Sequence, residues 1–114
     1  MKEKVFRIYN KKNKNFIYSY DFDNLREYFE AIEELNLDER DIGQYIGTKD
    51  CDDNLVFEGD IVGVYRNITR NIDLCIVKME NGSVYPLELF PCKNTLDKLK
   101  IRIMDNIYEN KKMY

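Results

Sequence analysis

Two short apolar runs punctuated by glycine constrain this chain more than any other feature. Ile42-Gly43-Gln44-Tyr45-Ile46-Gly47-Thr48-Lys49-Asp50 is followed by Phe57-Glu58-Gly59-Asp60-Ile61-Val62. β-Branched and aromatic residues carry each run, and glycine reaches left-handed backbone without a Cβ penalty. The pattern specifies strands that turn tightly. Gly47 ends the first strand, 49–54 is a loop, and Gly59-Asp60 leads into a strand at 61–65. Asp60 is read as structural, its carboxylate accepting backbone N–H bonds where that strand begins. A later hairpin joins 74–80 to 84–89 through Asn81-Gly82, the pair that a type I′ turn favours. Gly47, Gly59, Asp60, Asn81 and Gly82 are therefore turn residues.

The first third obeys other periods. Val5-Phe6-Arg7-Ile8-Tyr9 and Phe16-Ile17-Tyr18-Ser19-Tyr20 flank the wholly polar 10–15, which reads as a hairpin with a lysine-rich turn. Leu25, Tyr28, Phe29, Ile32 and Leu35 then form one helical stripe, with Asn24 and Glu27 spaced as a capping box and Asn36 as a stop. Beyond 42 the reading is all-β. Pro86 and Pro91 belong at edges or ends of pairing, Thr95–Leu99 forms a helical turn, and Ile101, Ile103 and Ile107 mark a last strand. Short strands with tight turns predict an antiparallel unit of about five strands. The expected fold class is α+β: an N-terminal β-hairpin and one amphipathic helix packed on a small, strongly curved antiparallel β-barrel of SH3-like type. The 114 residues make one domain, with hairpin and helix at 1–41 and the barrel-like part at 42–114.

Much chemistry is excluded. With no histidine, catalytic triads, imidazole proton transfer near neutral pH and histidine-ligated metals are absent. The five glycines match no phosphate-binding loop. Asp50-Cys51-Asp52-Asp53-Asn54 begins like a calcium loop, but Leu55 stands where that loop needs glycine and Ile61 where it needs glutamate. It reads instead as an Asx turn. The three cysteines are odd in number and far apart, as expected of reduced thiols. Cys75 reads as a core filler and Cys51 as the more exposed thiol. Asn67-Ile68-Thr69 matches a glycosylation sequon that the expected location makes irrelevant. No catalytic residue, metal or cofactor is expected. No segment approaches a membrane span or a signal peptide, so a cytoplasmic location is expected.

Gln44-Tyr45-x-Gly47-x-Lys49-Asp50, the Phe57–Val62 block and the closing Asn106-Ile107-Tyr108-Glu109-Asn110 together resemble the YopX family of phage and prophage proteins. Phe6-Arg7-Ile8-Tyr9-Asn10 is similar to that family's first strand. The resemblance spans nearly the whole chain in order. It implies a phage or prophage origin and an α+β fold with a barrel-like C-terminal part. It implies no activity, so no catalytic residue carries over.

What remains is surface. The net charge of −3 hides segregation: 1–20 holds six cations against Glu3, whereas 21–41 holds nine acids against Arg26 and Arg40. Glu30, Glu33 and Glu34 lie off the apolar stripe, and with Glu27 they are candidates for partner binding. Tyr45 and Tyr65 join them, because tyrosine buries large area at small entropic cost. Tyr85 and Tyr108 are candidates on the same ground, and core packing is the better reading for each of the four. The expected function is a non-catalytic phage accessory protein that binds a host or phage protein, for example inhibiting an anti-phage defence nuclease. Self-association is compatible with open strand edges. The alternative is a nucleic-acid-binding module using Lys11, Lys12 and Lys14, which the acidic pI of about 5.1 disfavours.

Overall fold

The computed structural model describes residues 4–66, 70–80, 83–85 and 101–110. Among the described residues the chain is mostly β with one α-helix, and it forms two compact units, 1–45 and 46–114.

In the first unit, β1 (Phe6–Asn10) pairs antiparallel with β2 (Asn15–Tyr18), setting Arg7 opposite Tyr18 and Tyr9 opposite Phe16. The turn is ordered by Asn10, whose Oδ1 accepts from Lys12 N–H at 3.1 Å, and by Lys14 in left-handed backbone at φ 56°. A 3-10 turn over Ser19–Asp21 follows, and Ser19 Oγ accepts the Phe6 N–H at 2.9 Å. Helix α1 (Leu25–Glu34) is capped by Asn24, whose side chain accepts from Glu27 N–H at 2.9 Å. Asn36 adopts φ 56° beyond its end, a left-handed conformation typical of a helix stop. The helix buries Tyr28 and Ile32 against Ile8, with Phe6, Ile17, Phe22 and Phe29 around them. The Tyr28 hydroxyl donates to the Ile17 carbonyl at 3.0 Å, which satisfies the one polar atom on that buried ring. The helix thus packs on the β1–β2 pair. The start of β3 (Gly43–Lys49) adds to the same sheet, Phe6 opposite Gln44 and Arg7 opposite Gly43.

β3 runs on into the second unit, beside β4 (Leu55–Phe57). The central strand there is β5 (Asp60–Arg66), flanked by β6 (Asn71–Ile76) and β9 (Ile101–Asn106) in antiparallel register. β7 (Lys78–Glu80) and β8 (Ser83–Tyr85) pair with Glu80 opposite Ser83. Ile46, Val56, Val62, Val64, Val77, Val84 and Ile101 make the core. The β5–β9 register shifts between Ile61 and Val62, and Met104 is the extra residue on β9. Such a bulge bends its strand and strengthens the local twist, curling the sheet.

Several expectations need correction. Gly47 does not end its strand: β3 continues to Lys49 with Gly47 inside it at φ 89°. Leu55–Phe57 is a strand, too short for alternation to announce it. The run expected at 74–80 begins at Asn71 and breaks at Val77. Val77 N–H donates to the Asp60 carbonyl at 2.8 Å, and its carbonyl accepts from Gly59 N–H at 3.0 Å. Ile107 lies in the turn after β9. Asn81, Gly82, Pro86, Pro91, Cys92, the sequon at 67–69 and the expected helical turn at 95–99 lie outside the described residues.

Candidate functional site

Asp50 and Gly59-Asp60, from the two glycine-containing blocks, lie in the second unit. Asp50 follows β3 and is 1% exposed. Its Oδ1 accepts from the N–H groups of Asp52 at 3.0 Å and Asn54 at 2.9 Å, and its Oδ2 from Ile103 N–H of β9 at 3.0 Å. Cys51 N–H donates to the Ile101 carbonyl at 2.9 Å. One buried carboxylate therefore shapes its own loop and fastens it to a strand 53 residues away.

Gly59 is the second junction. At φ 91° it occupies backbone that side chains rarely adopt, and a Cβ there would stand 2.9 Å from Tyr108 Cε2. Its carbonyl accepts from Ile107 N–H at 2.9 Å. Asp60, 2% exposed, accepts the Phe57 N–H on Oδ2 at 2.8 Å and pairs with Asn106 across the β5–β9 ladder. Asn106 Oδ1 accepts from the N–H groups of Tyr108 at 3.1 Å and Glu109 at 3.0 Å, while its Nδ2 donates to Glu109 Oε1 at 2.8 Å. Asp50, Asp60 and Asn106 spend these acceptors on backbone amides. Among the described residues no group of three or more His, Cys, Asp or Glu could hold a metal ion.

The candidate partner-binding residues are distributed. Glu27, Glu30, Glu33 and Glu34 are all exposed on α1, and Glu30 meets Arg26 at 3.3 Å. Tyr45 is half-buried in the first unit, where burial pushes its phenol up from its ordinary value. Tyr65 belongs to the second unit and is 41% exposed. The glutamates form one surface of α1; Tyr45 belongs to the first unit and Tyr65 to the second.

A surface that sequence reasoning missed lies on the outer face of β6-β5-β9. Val62 and Val64 face the core, so Gly63 and Tyr65 face outward, opposite Leu74 and Ile72. Ile72 (66%), Met104 (57%) and Leu74 (52%) are the most exposed of these. Gly63 has no side chain, and Ile72 Cγ2 and Met104 Cγ lie 3.0 and 3.3 Å from where its Cβ would be. A shallow cavity of about 300 Å³ opens there, lined also by Cys51, Ile101 and Arg102. Arg102 Nε sits 3.3 Å from Cys51 Sγ and 3.4 Å from Asp52 Oδ2, and the Cys51 contact raises the guanidinium pKa further. Ile72 and Leu74 look like core residues in the sequence; only the pairing of β6 with β5, which sets them opposite Tyr65 and Gly63, reveals an outward apolar face.

In this β-rich chain the turns at Asp50, Asp60 and Asn106 are tied to backbone amides. The YopX protein family model matches residues 2–113, and the chain belongs to that phage-type family. Among curated proteins none matches the chain. No helix among the described residues is long and apolar enough to cross a membrane.

Proposed function

We propose that this phage-type protein acts without catalysis, by binding a host or phage protein. The observation that carries the reading is the outward apolar face of Tyr65, Ile72, Leu74 and Met104, four large side chains grouped on one sheet. Grouped exposed apolar side chains rimmed by polar ones mark interaction surfaces more often than scattered ones do. Arg102 and Asp52 supply such a rim. The Asp50, Asp60 and Asn106 geometry supports a non-catalytic reading, because these side chains hold backbone. Inhibition of a defence nuclease is the most specific form of the proposal, in which the α1 glutamates would add charge complementary to a basic cleft. The second unit is read as a small SH3-like barrel, a reading that the curl at the Met104 bulge supports.

The test is affinity capture from host lysate with the full chain and two variants. Ile72→Asp/Leu74→Asp is expected to abolish a stoichiometric partner; Glu30→Lys/Glu34→Lys is expected to weaken it through charge alone, most at low salt. A partner retained by both variants overturns this placement of the surface. Turnover of a small molecule by the purified chain overturns the non-catalytic reading.

A further inference from the structure

The outer face of β6-β5-β9 has a gap at its centre. One row across the sheet runs Leu74, Gly63, Arg102, because Gly63 pairs with Leu74 on β6 and with Arg102 on β9. The strands flanking β5 lie about 10 Å apart, two strand spacings, and the middle position of this row has no side chain. Ile72 and Met104 approach it from those flanking strands, to 3.0 and 3.3 Å from where a Cβ would stand. Tyr65 is the next outward residue of β5, and with Ile72 and Met104 it walls the cavity of about 300 Å³. Glycine inside a strand often marks a close approach by a ligand or another chain. Arg102 is the one charged residue among the described residues lining the cavity, and its side chain is 62% exposed. Its contacts with Cys51 Sγ at 3.3 Å and Asp52 Oδ2 at 3.4 Å both run through Nε. They orient the guanidinium and leave Nη1 and Nη2 without a partner among the described residues. Those two groups can hold a carboxylate through parallel hydrogen bonds.

Building on the protein-binding role proposed above, we infer that this gap anchors the partner: an aromatic side chain of the partner fills it, and a carboxylate on the same or the adjoining residue pairs with the Nη groups of Arg102. A flat ring matches a slot over bare backbone between Ile72 and Met104. It would also meet the Tyr65 ring and the Met104 sulfur, both favourable contacts for an aromatic. Binding energy at protein interfaces concentrates in such aromatic anchors seated in pockets. The exposed Asp52 pair is worth little, so it leaves Arg102 available. One arginine beside Asp52 suits a singly charged carboxylate better than a phosphate.

The test is a ¹H–¹⁵N NMR titration of the full chain with N-acetyl-phenylalanine, which carries both groups on one residue, beside its amide and N-acetyl-alanine. Saturable shifts are expected at the amides of Gly63, Ile72, Arg102 and Met104, with a Kd on the order of 1 mM, as befits a single anchor residue. The amide, lacking the charge, should bind roughly tenfold more weakly, and N-acetyl-alanine should not saturate. Arg102→Gln should weaken the acid to the level of the amide and leave the amide unchanged. Arg102 is exposed, so this replacement retains the fold. Gly63→Ala, which fills the gap, should weaken acid and amide alike. Saturating N-acetyl-phenylalanine should also slow alkylation of Cys51 by iodoacetamide, read by peptide mass. No saturation by about 10 mM, equal affinity for acid and amide, or an Arg102→Gln variant that still prefers the acid would each overturn the inference. A micromolar Kd would make the cavity a small-molecule site and overturn the anchor role. Loss of the captured partner by Ile72→Asp/Leu74→Asp, with no binding of N-acetyl-phenylalanine, would overturn this anchor and leave the protein-binding role standing.

Discussion

Gly59 and Gly47 offer a controlled comparison. Both adopt left-handed backbone, at φ 91° and 89°, so alanine at either position meets the same strain. That strain is roughly 1–2 kcal/mol for a non-glycine residue. The surroundings differ. A Cβ at Gly47 has nothing within 4 Å, whereas at Gly59 it lies 2.9 Å from Tyr108 Cε2 and 3.5 Å from Ile107 Cγ1. The Tyr108 ring must move, and Tyr108 N–H is held by Asn106 Oδ1. Overpacking of this kind adds about 1–3 kcal/mol. Gly47→Ala should therefore destabilise by about 1 kcal/mol and Gly59→Ala by about 3 kcal/mol. In a chain of this length the corresponding drops in Tm are about 4 °C and 12 °C. Urea denaturation followed by circular dichroism measures both. In a Tyr108→Ala background the cost of Gly59→Ala should fall to that of Gly47→Ala, since only the strain remains. Equal costs for the two single variants, or no relief in the double variant, would refute the reasoning.

Other consequences follow from the same geometry. Asp50→Ala removes the acceptor for three backbone N–H groups and should cost about 3 kcal/mol or more, read by the same denaturation; Asp50→Asn should cost less, because one oxygen remains. Asn24→Ala should cost about 1 kcal/mol through loss of the α1 cap, with helical signal reduced at equilibrium. Burial holds the Tyr28 phenol well above its ordinary 10.0 in the folded state, while the unfolded chain ionises near that value. Its raised folded pKa means that the stability it confers is complete below pH 10 and declines as pH climbs above it. Tyr28→Phe should flatten this alkaline limb while losing about 1 kcal/mol at neutral pH with the bond to Ile17.

The local parts of the architecture were legible because their causes are local. The apolar stripe of α1, the Asn24 cap and the left-handed Asn36 each depend on residues within a few positions. The start of β5 at Gly59-Asp60 is equally local, since the turn that carries it is closed by Asp60 on Phe57. The long-range parts were not legible. Nothing near Asp50 indicates that one of its oxygens serves Ile103, 53 residues on. Gly47 looked like a terminator because glycine commonly is one, yet β3 absorbs its positive φ and continues. Ile72 and Leu74 carry the composition of a buried strand, and only the pairing of β6 with β5 turns them outward. Simple alternation sets Tyr9, Phe16 and Tyr18 on one face of the hairpin, whereas the stack of Tyr20 on Tyr18 depends on the 3-10 turn over Ser19–Asp21.

Residue-resolved hydrogen exchange examines most directly whether the glycine, aspartate and asparagine blocks hold this fold together. The amides of Asn54, Phe57, Ile103 and Ile107, bonded to Asp50, Asp60, Asp50 and the Gly59 carbonyl, should exchange only through unfolding of the second unit. Their protection should lie within about tenfold of that at Val62 in β5. Exchange of these four amides at the rates of an unstructured peptide, with Val62 still protected, would contradict the account.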